Sequence, residues 1–332
     1  MNNEVDQIIS RLQQLKKEIQ KVIVGQETAV DQLLITFLAG GHALLEGVPG
    51  LAKTLMIRTL AEAIELRFRR IQFTPDLMPS DIVGTEILEE DHSTGKRFFK
   101  FNKGPIFANI ILADEINRTS PKTQSALLEA MQEFKVTYGG VTYPLDAPFF
   151  ILATQNPIEQ AGTFPLPEAQ LDRFLLFIKI DYPTAEAETE ILRNTTGTHR
   201  AHINKVLDGQ TILQAQNFVK EVHISDDLIR FVSNIVRATR PKDTEHKYVR
   251  DWVRWGAGPR AGQAMILTAK ARALIAGRYA ATIDDISAVA FPVLRHRILL
   301  NFKAEAEGIT SDDITKHLIE VMKQNLKSES IT

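Results

Sequence analysis

One segment constrains the fold of this chain more than any other: Gly47-Val48-Pro49-Gly50-Leu51-Ala52-Lys53-Thr54. A short apolar run ends just before it at Glu46, and a helical pattern begins at Lys53. A phosphate-binding P-loop requires this strand–loop–helix context, because the N–H groups of the loop and of the helix N-terminus then point at the same anion. The segment therefore predicts a site for a nucleoside triphosphate such as ATP.

Two residues of this loop are predicted to act on the phosphates and their metal ion. The Lys53 ammonium group would neutralise charge on the β- and γ-phosphates, and the Thr54 hydroxyl would ligate Mg²⁺. The general motif has glycine where this chain has Ala52. The Ala52 N–H is still available to a phosphate, so binding is compatible with alanine if the local backbone angles suit it.

Short apolar runs alternate with helical patterns through the first half of the chain. Helical patterns cover residues 53–64 and 122–133, and apolar runs typical of buried strands cover 42–46, 68–73, 109–113, 149–154 and 174–180. The alternation predicts the α/β class, with a mostly parallel sheet covered by helices on both faces. Together with the P-loop, this indicates the three-layer core of a P-loop NTPase.

Two segments depart from this alternation. Residues 85–101 contain two strand-like runs around Ser93-Thr94-Gly95-Lys96, and residues 135–143 predict a β-hairpin that turns at Gly139-Gly140. Both are expected as additions to the core sheet.

Strand patterns stop after Tyr182-Pro183-Thr184. Ser225 and Thr282 occupy expected helix N-cap positions, and Thr282 with Asp285 resembles a capping box. Helical patterns cover about 185–195, 211–221, 226–238, 260–277, 283–296 and 312–326. We therefore expect an α/β nucleotide-binding domain over residues 1–182 and an all-helical domain over 183–332.

A second polar signature lies at the end of an apolar strand, Ile110-Ile111-Leu112-Ala113-Asp114-Glu115, and matches a Walker B segment. Asp114 is expected to hold the Mg²⁺ shell through water, and Glu115 to orient or deprotonate the attacking water. Taken alone, such a strand end is equally typical of a solvated surface. Its position downstream of a P-loop favours the catalytic interpretation.

In combination, these motifs make the chain resemble the MoxR family of AAA+ ATPases. The P-loop of that family usually ends in Ala-Lys-Thr, so Ala52 departs from the general motif but not from the family. The resemblance covers essentially the whole chain, with Gly258 where the family often has serine. It rests on residues 46–54, 73–81, 104–108, 112–118, 153–157 and 166–174.

The resemblance implies further roles at the nucleotide. Asn156 would be the sensor 1 residue that positions the attacking water with Glu115. Arg173 would be an arginine finger that enters the neighbouring subunit's site, and Arg260 would be the sensor 2 residue of the lid. Val24 and Gly25 would lie beside the adenine.

A structural interpretation stays open for each of these positions. Asn156 precedes Pro157, which is typical of a turn, and Arg173 follows Asp172, with which it could form a structural pair. Arg260 could be an ordinary helix-start arginine, and the Val24-Gly25 segment could merely link two helices. Arg118 is a rival to Arg173 for the intersubunit role.

The resemblance also predicts partners. Family members form hexameric rings and act as chaperone-like ATPases, often with von Willebrand factor type A domain proteins, in assembling or metallating client enzymes. The two departures from the core pattern would be the helix-2 insert and the pre-sensor-1 hairpin of the same clade. A nucleic-acid motor, a metal-chelatase motor subunit and a slowly hydrolysing scaffold are the competing interpretations.

Composition narrows these alternatives. The 332 residues carry a net charge of -2, which does not favour nucleic-acid binding, and the basic cluster Lys96, Arg97, Lys100 and Lys103 is interpreted as a solvated face. The absence of cysteine excludes disulfides and thiolate metal sites. Since no signal peptide or membrane span is expected, the predicted location is the cytoplasm.

Overall fold

The computed structural model describes residues 2–90, 92–93, 95–157, 162–197 and 201–329. Asp91 and Thr94, which belong to the predicted segment 85–101, lie outside the described residues. The helices of the first half are α1 (Asn2–Gln20), α2 (Glu27–Leu38), α3 (Lys53–Ile64), α4 (Pro79–Val83), α5 (Pro121–Glu133) and α6 (Glu168–Leu171). The strands there are β1 (Ala43–Glu46), β2 (Phe68–Gln72), β3 (Gly84–Glu90), β4 (Arg97–Lys103), β5 (Ile110–Asp114), β6 (Lys135–Tyr138), β7 (Val141–Pro144), β8 (Phe150–Gln155) and β9 (Leu176–Lys179).

The central sheet has five strands in the order β2-β5-β8-β1-β9, and every neighbouring pair is parallel. All five residues of β5 are buried, because helices cover both faces of the sheet. Alternate residues of this strand face opposite layers: Ile110 and Leu112 pack with α1, α2 and α3, and Ile111 and Ala113 pack with α5. This confirms the predicted α/β/α core.

The parallel arrangement brings the C-terminal ends of three strands to one edge of the sheet. Glu46 at the end of β1 pairs with Gln155 at the end of β8, and Asp114 ends the next strand, β5. The P-loop follows β1 directly. The two Walker segments therefore lie at one edge although they are distant in sequence.

Both departures from the core pattern are antiparallel hairpins, β3 with β4 and β6 with β7. They contact each other through aromatic rings, since Phe101 stacks on Tyr138 and Tyr143 with centroid distances of 4.9 and 4.6 Å. The hairpins thus form one joint projection from the core.

The second half of the chain is mainly helical. Its helices are α7 (Ala185–Thr196), α8 (Gly209–Glu221), α9 (Asp226–Ala238), α10 (Lys247–Trp252), α11 (Pro259–Ile275), α12 (Ile283–Leu294), α13 (Phe302–Ala306) and α14 (Ser311–Glu329). Ser225 accepts the Leu228 N–H, and Thr282 and Asp285 form the predicted capping box. Among the described helices, none combines the length and the apolar character that a membrane crossing needs.

One feature departs from the all-helical prediction. Strands β10 (Val253–Trp255) and β11 (Leu299–Leu300) form a short antiparallel pair. Strands of two or three residues are too short to show the apolar alternation on which strand prediction depends.

Arginines at the end of α12 hold the helical region against the edge strand β9. Arg297 is buried, and its Nε donates to Asp172 Oδ1 at 2.7 Å while its Nη2 donates to the Phe174 carbonyl at 2.8 Å. Arg295 Nη1 donates to the carbonyl of Phe177 at 3.1 Å. These contacts fix the helical region on the side of the sheet where β9 begins.

His42 is expected to make the fold sensitive to acid. Its buried ring accepts the N–H of Ile151 at Nδ1, so Nε2 carries the proton and donates to the Met131 carbonyl. Burial lowers the pKa of His42 from 6.5 to about 4, although the bond to Met131 opposes this. The unfolded chain therefore takes up this proton as the pH falls below 6.5, before the folded chain does, and about 3 kcal/mol of stability is lost by pH 4.

Urea denaturation between pH 7 and pH 4 measures this loss. The decline in the free energy of unfolding should be smaller in His42→Gln, because glutamine has an acceptor and a donor but does not titrate. Identical pH profiles for the two proteins would contradict the assignment.

Candidate nucleotide-binding site

A hydrogen bond within the P-loop holds the side chain of Lys53 in place. Lys53 Nζ donates to the Gly47 carbonyl at 2.6 Å, at the first residue of α3. Burial lowers the pKa of Lys53, and the charges of Asp114, Glu115 and Glu46 act in the opposite direction. The lysine therefore faces the same space as the Walker B acids, as a phosphate-binding lysine must.

The loop backbone adopts conformations that glycine favours at two positions. Gly50 has φ +88°, and a Cβ built on it meets no atom within 4 Å, so this part of the loop opens onto free space. Ala52 has φ 57° and ψ 22°, the left-handed conformation, immediately before α3. An L-residue in that region costs about 1 kcal/mol, which explains the glycine of the general motif. The chain tolerates this strain at Ala52.

Thr154 connects the two Walker B acids. Its Oγ1 donates to Asp114 Oδ1 at 2.6 Å and accepts the N–H of Glu115 at 2.9 Å. Arg70 on the adjacent strand β2 donates to Asp114 Oδ2 through both Nε and Nη2, at 3.0 and 2.6 Å. Both Asp114 oxygens are thus fixed in position.

The catalytic candidate Glu115 is held in a strained turn. Its φ of 59° and ψ of 48° lie in the left-handed region, which turns the side chain out of the strand direction. Its Oε2 accepts from Gln72 Nε2 at 3.0 Å and lies 3.2 Å from Arg118 Nε. Arg118 therefore has a partner at its own site, which makes it a weaker intersubunit candidate than Arg173.

The oxygen donors at this edge fit Mg²⁺. Thr54 lies in the first turn of α3, which follows β1, and Asp114 ends β5, which β8 separates from β1. Mg²⁺ prefers hard oxygen ligands and retains several waters, so one hydroxyl, one carboxylate and the phosphates of ATP suffice. Asp114 Oδ1, which accepts from Thr154, keeps a second lone pair for a water of that shell, whereas Oδ2 already accepts two hydrogen bonds from Arg70.

Thr154→Val is expected to lower ATP turnover by about 10- to 100-fold with little change in the fold, as for other residues that orient a metal ligand. Valine matches threonine in shape but leaves Asp114 Oδ1 and the Glu115 N–H without this partner. Turnover against Mg²⁺ concentration is the measurement. Thr154→Ser retains the hydroxyl and should stay near wild type; equal losses in both variants would contradict this role.

Asn156 lies where a sensor of the attacking water is expected. It is buried directly after β8, at the edge that carries the Walker segments. With Glu46, Asn117 and Gln155 it lines a cavity of about 240 Å³. The arrangement places the amide beside the end of the P-loop strand.

The Val24-Gly25 segment packs against the start of the helical region. Gly25 has φ +74°, and a Cβ there would lie 2.6 Å from the Ala187 Cβ, so only glycine fits. Gln26 Nε2 donates to the Asp181 carbonyl at 2.9 Å. The segment therefore sits beside the C-terminal end of β9, next to the P-loop strand.

A cavity of about 1000 Å³ opens beside this segment. Val22, Leu55, Thr59 and Arg193 are among its lining residues, and Leu55 follows the P-loop Thr54 directly. Sequence reasoning did not single out Leu55. The Leu55 side chain is exposed, which is unusual for a leucine in the first turn of a core-facing helix. This exposure makes Leu55 a candidate functional residue, and it can be seen only in the structure.

Arg173 and Arg260 lie together, but not at their own P-loop. Arg173 precedes β9 and donates from Nη1 to the Leu128 carbonyl at 2.7 Å, while Arg260 Nη1 lies 3.5 Å from Asp172 Oδ2. Both line one cavity of about 250 Å³. Strand β9 is parallel to β1 and is roughly 13 Å long. Its N-terminal end, which follows Arg173, therefore lies at the opposite end of the strands from the P-loop. The chain thus carries the P-loop and these two arginines on opposite sides of the sheet.

Comparisons with known proteins agree with this geometry. Residues 42–176 match the model of the ATPase family associated with various cellular activities (AAA), and residues 246–318 match the AAA lid domain. The chaperone MoxR1 of Mycobacterium tuberculosis is 42% identical over 92% of this chain and 80% of its own length. The uncharacterized protein YeaC of Bacillus subtilis is 40% identical over 95% of both chains.

A solved structure shows the same fold. The crystal structure of a candidate ATPase from Cytophaga hutchinsonii is 43% identical, with a TM-score of 0.89 over 96% of both chains. The P-loop cradle, the Walker B acids at the same sheet edge and the identity to MoxR1 together lead to one conclusion: the chain belongs to the MoxR family of AAA+ ATPases.

Proposed function

We propose that the protein binds and hydrolyses ATP at the interfaces between subunits of a ring. The observation that carries this proposal is the split site: the P-loop and Walker B acids lie at one edge of the sheet, and Arg173 and Arg260 lie at the other. A head-to-tail contact between copies would join the two halves. Repetition of such a contact closes into a ring when the rotation permits, and the family resemblance favours a hexamer.

The proposed chemistry assigns one task to each group at the nucleotide. The loop from Gly47 to Thr54 binds the phosphates, and Lys53 balances their charge. Bound Mg²⁺, held through Thr54 and Asp114, would polarise the phosphate oxygens. Glu115 orients the attacking water or takes its proton, and Asn156 holds that water.

Three further segments would complete the proposed site. Val24 and Gly25 border the adenine together with the cavity lined by Leu55. Arg173, and with it Arg260, would reach the γ-phosphate of the adjacent protomer. A planar guanidinium group suits the spread charge of the transferred phosphoryl group.

The mechanical output is proposed to be chaperone-like remodelling of client proteins. The β3–β4 hairpin is supporting evidence, because Leu88 and Phe99 pair across it and are both exposed, as are Ile87 and Phe98 on its other face. Such apolar surface is typical of protein contact. The family resemblance suggests a von Willebrand factor type A domain partner, and the need for ATP favours the cytoplasm.

The charges of the same hairpin argue against a nucleic-acid motor. Arg97 pairs with Glu90, Lys100 pairs with Glu89, and Lys103 lies over the Phe107 ring at 4.9 Å. The acids that pair with Arg97 and Lys100 balance their charges and so weaken their attraction for phosphate backbones. A chelatase-type motor would use the same nucleotide chemistry, and only its client would differ.

The test is ATP turnover per protomer against protein concentration, with and without an unfolded polypeptide as a model client. Turnover should rise with concentration, because dilution separates the two halves of each site, and the polypeptide should stimulate it. Phe99→Ser should keep the concentration dependence and lose the stimulation. Concentration-independent turnover in a verified monomer would contradict the ring, and stimulation that survives Phe99→Ser would contradict the role of the hairpin.

A further inference from the structure

Helix α7 barely packs against its own chain. None of its twelve residues, all of them described, is buried. Ala187 faces Gly25, so the side chains of Glu188 and Leu192 point away from the core, and Leu192 is 57% exposed. Its charged residues are mostly acidic: Glu186, Glu188 and Glu190 against Arg193. An acidic helix with an outward-facing leucine is a surface that fits a partner.

A surface of the opposite character lies on the β10–β11 pair, which we call the aromatic ladder (Trp252, Trp255 and Phe302). Trp255 is 69% and Phe302 is 85% exposed, and Lys303 Nζ lies 4.7 Å from the Trp252 ring centre. Exposed aromatic residues of this size are enriched at protein interfaces. The charged residues of α10, β10 and α13 are four basic (Lys247, Arg250, Arg254 and Lys303) and two acidic (Asp251 and Glu305), so the charge around the ladder is net basic.

The two surfaces lie on opposite sides of one protomer. Helix α7 follows the C-terminal end of β9, beside the P-loop edge, where Gln26 contacts the Asp181 carbonyl. The aromatic ladder leads through Gly256-Ala257-Gly258 into Arg260, which pairs with Asp172 before the start of β9. A contact that brings Arg173 and Arg260 to a neighbour's P-loop would therefore also bring the ladder towards that neighbour's α7.

We propose that α7 of one protomer docks on the aromatic ladder of the next, so that each copy of the chain is the partner for both surfaces. The apolar part is Leu192 against Trp255 and Phe302, and the acidic residues of α7 face the basic residues around the ladder. The contact is heterologous, as a closed ring requires. This inference rests on the proposed ring and assigns residues to its interface that have no part in the chemistry of ATP.

Cysteine crosslinking tests the contact directly, because the natural chain contains no cysteine. Leu192→Cys and Trp255→Cys, mixed as single variants with ATP and a mild oxidant, should give a disulfide-linked dimer. A chain that carries both substitutions should give a series of disulfide-linked oligomers. Neither single variant alone should form a disulfide-linked dimer. Linkage only between identical positions would indicate a symmetric dimer and overturn the proposal.

Charge reversal supplies a second, independent test. Glu188→Lys and Arg254→Glu should each shift the midpoint of assembly to about tenfold higher concentration, since like charges then meet across the contact. The two reversals together should restore assembly, whereas Asp227→Lys on the exposed face of α9 should have no effect. Sedimentation velocity at several concentrations measures all four proteins.

The outcomes separate this inference from the proposed function. Rings with concentration-dependent turnover that neither crosslink nor respond to charge reversal would overturn the α7 contact alone. A chain that stays monomeric with ATP and hydrolyses it independently of concentration would overturn both. A single-stranded oligonucleotide that quenches Trp255 fluorescence, with no crosslink in its absence, would assign the ladder to nucleic acid and also overturn the contact.

Discussion

Glu115→Gln is expected to leave ATP bound and to reduce its hydrolysis by about 10²- to 10⁴-fold, the usual contribution of a positioned general base. The amide has the shape of the carboxylate but cannot take a proton from water. The substitution leaves the backbone contact of residue 115 with Thr154 intact, and the left-handed conformation strains glutamine no more than glutamate. The loss should therefore be confined to the chemical step.

Two measurements separate binding from chemistry in this variant. Equilibrium binding of a fluorescent ATP analogue should be close to wild type, and single-turnover hydrolysis should show the loss. Glu133→Gln, an exposed change at the end of α5, is the matched control and should behave as wild type. Unchanged turnover in Glu115→Gln would remove Glu115 from the chemistry and transfer the question to other acids at this edge, Glu46 first.

The sequence predicts best those features that depend on neighbours along the chain. The P-loop is one continuous segment, and the apolar strand before it together with the helix after it fixes its geometry. The Walker B motif is also one continuous segment: the five buried residues of β5 end in Asp114, and Glu115 follows directly. The capping box of Thr282 and Asp285 is also local and is confirmed. The residue roles at the nucleotide remain predictions, since they concern binding and turnover.

Contacts between distant segments could not be predicted in this way. Thr154 lies within a recognised motif, yet its bonds to Asp114 and Glu115 arise from pairing of β5 with β8. Gln72 and Arg70 reach the same acids from β2, 43 and 44 residues away. Strand order in the sheet, which no local pattern encodes, determines which polar strand ends meet.

The position of Arg260 could not be predicted from the local sequence either, because it depends on segments that are even further apart along the chain. The sequence places it in the first turn of a helix after Gly258-Pro259, which the structure reproduces in α11. Its location beside Asp172 depends on Arg297, which anchors the helical region on β9 from 125 residues away. Arg260 thus lies on the opposite side of the sheet from the P-loop of its own chain, and under the proposed function its phosphate partner comes from another protomer.

Arg173→Ala is expected to lower turnover by about 10³- to 10⁵-fold while ATP binding and assembly persist, the range found when an arginine finger is supplied or removed in P-loop NTPases. In the isolated protomer Arg173 donates to the Leu128 carbonyl, so the variant loses one partly buried hydrogen bond as well. Arg230→Ala, an exposed arginine that pairs with Asp227 on α9, controls for loss of charge.

Mixing two inactive variants decides whether this arginine acts on its own or on a neighbour's nucleotide. An Arg173→Ala protomer keeps Glu115, and a Glu115→Gln protomer keeps Arg173. If the finger acts between protomers, random mixed rings contain intact sites wherever the first variant receives its arginine from the second, roughly a quarter of all sites in an equal mixture. Turnover should then appear in the mixture although each variant alone is inactive. A mixture as inactive as its components, in rings shown by sedimentation to have exchanged protomers, would place Arg173 outside the neighbouring site and remove the basis for an intersubunit motor.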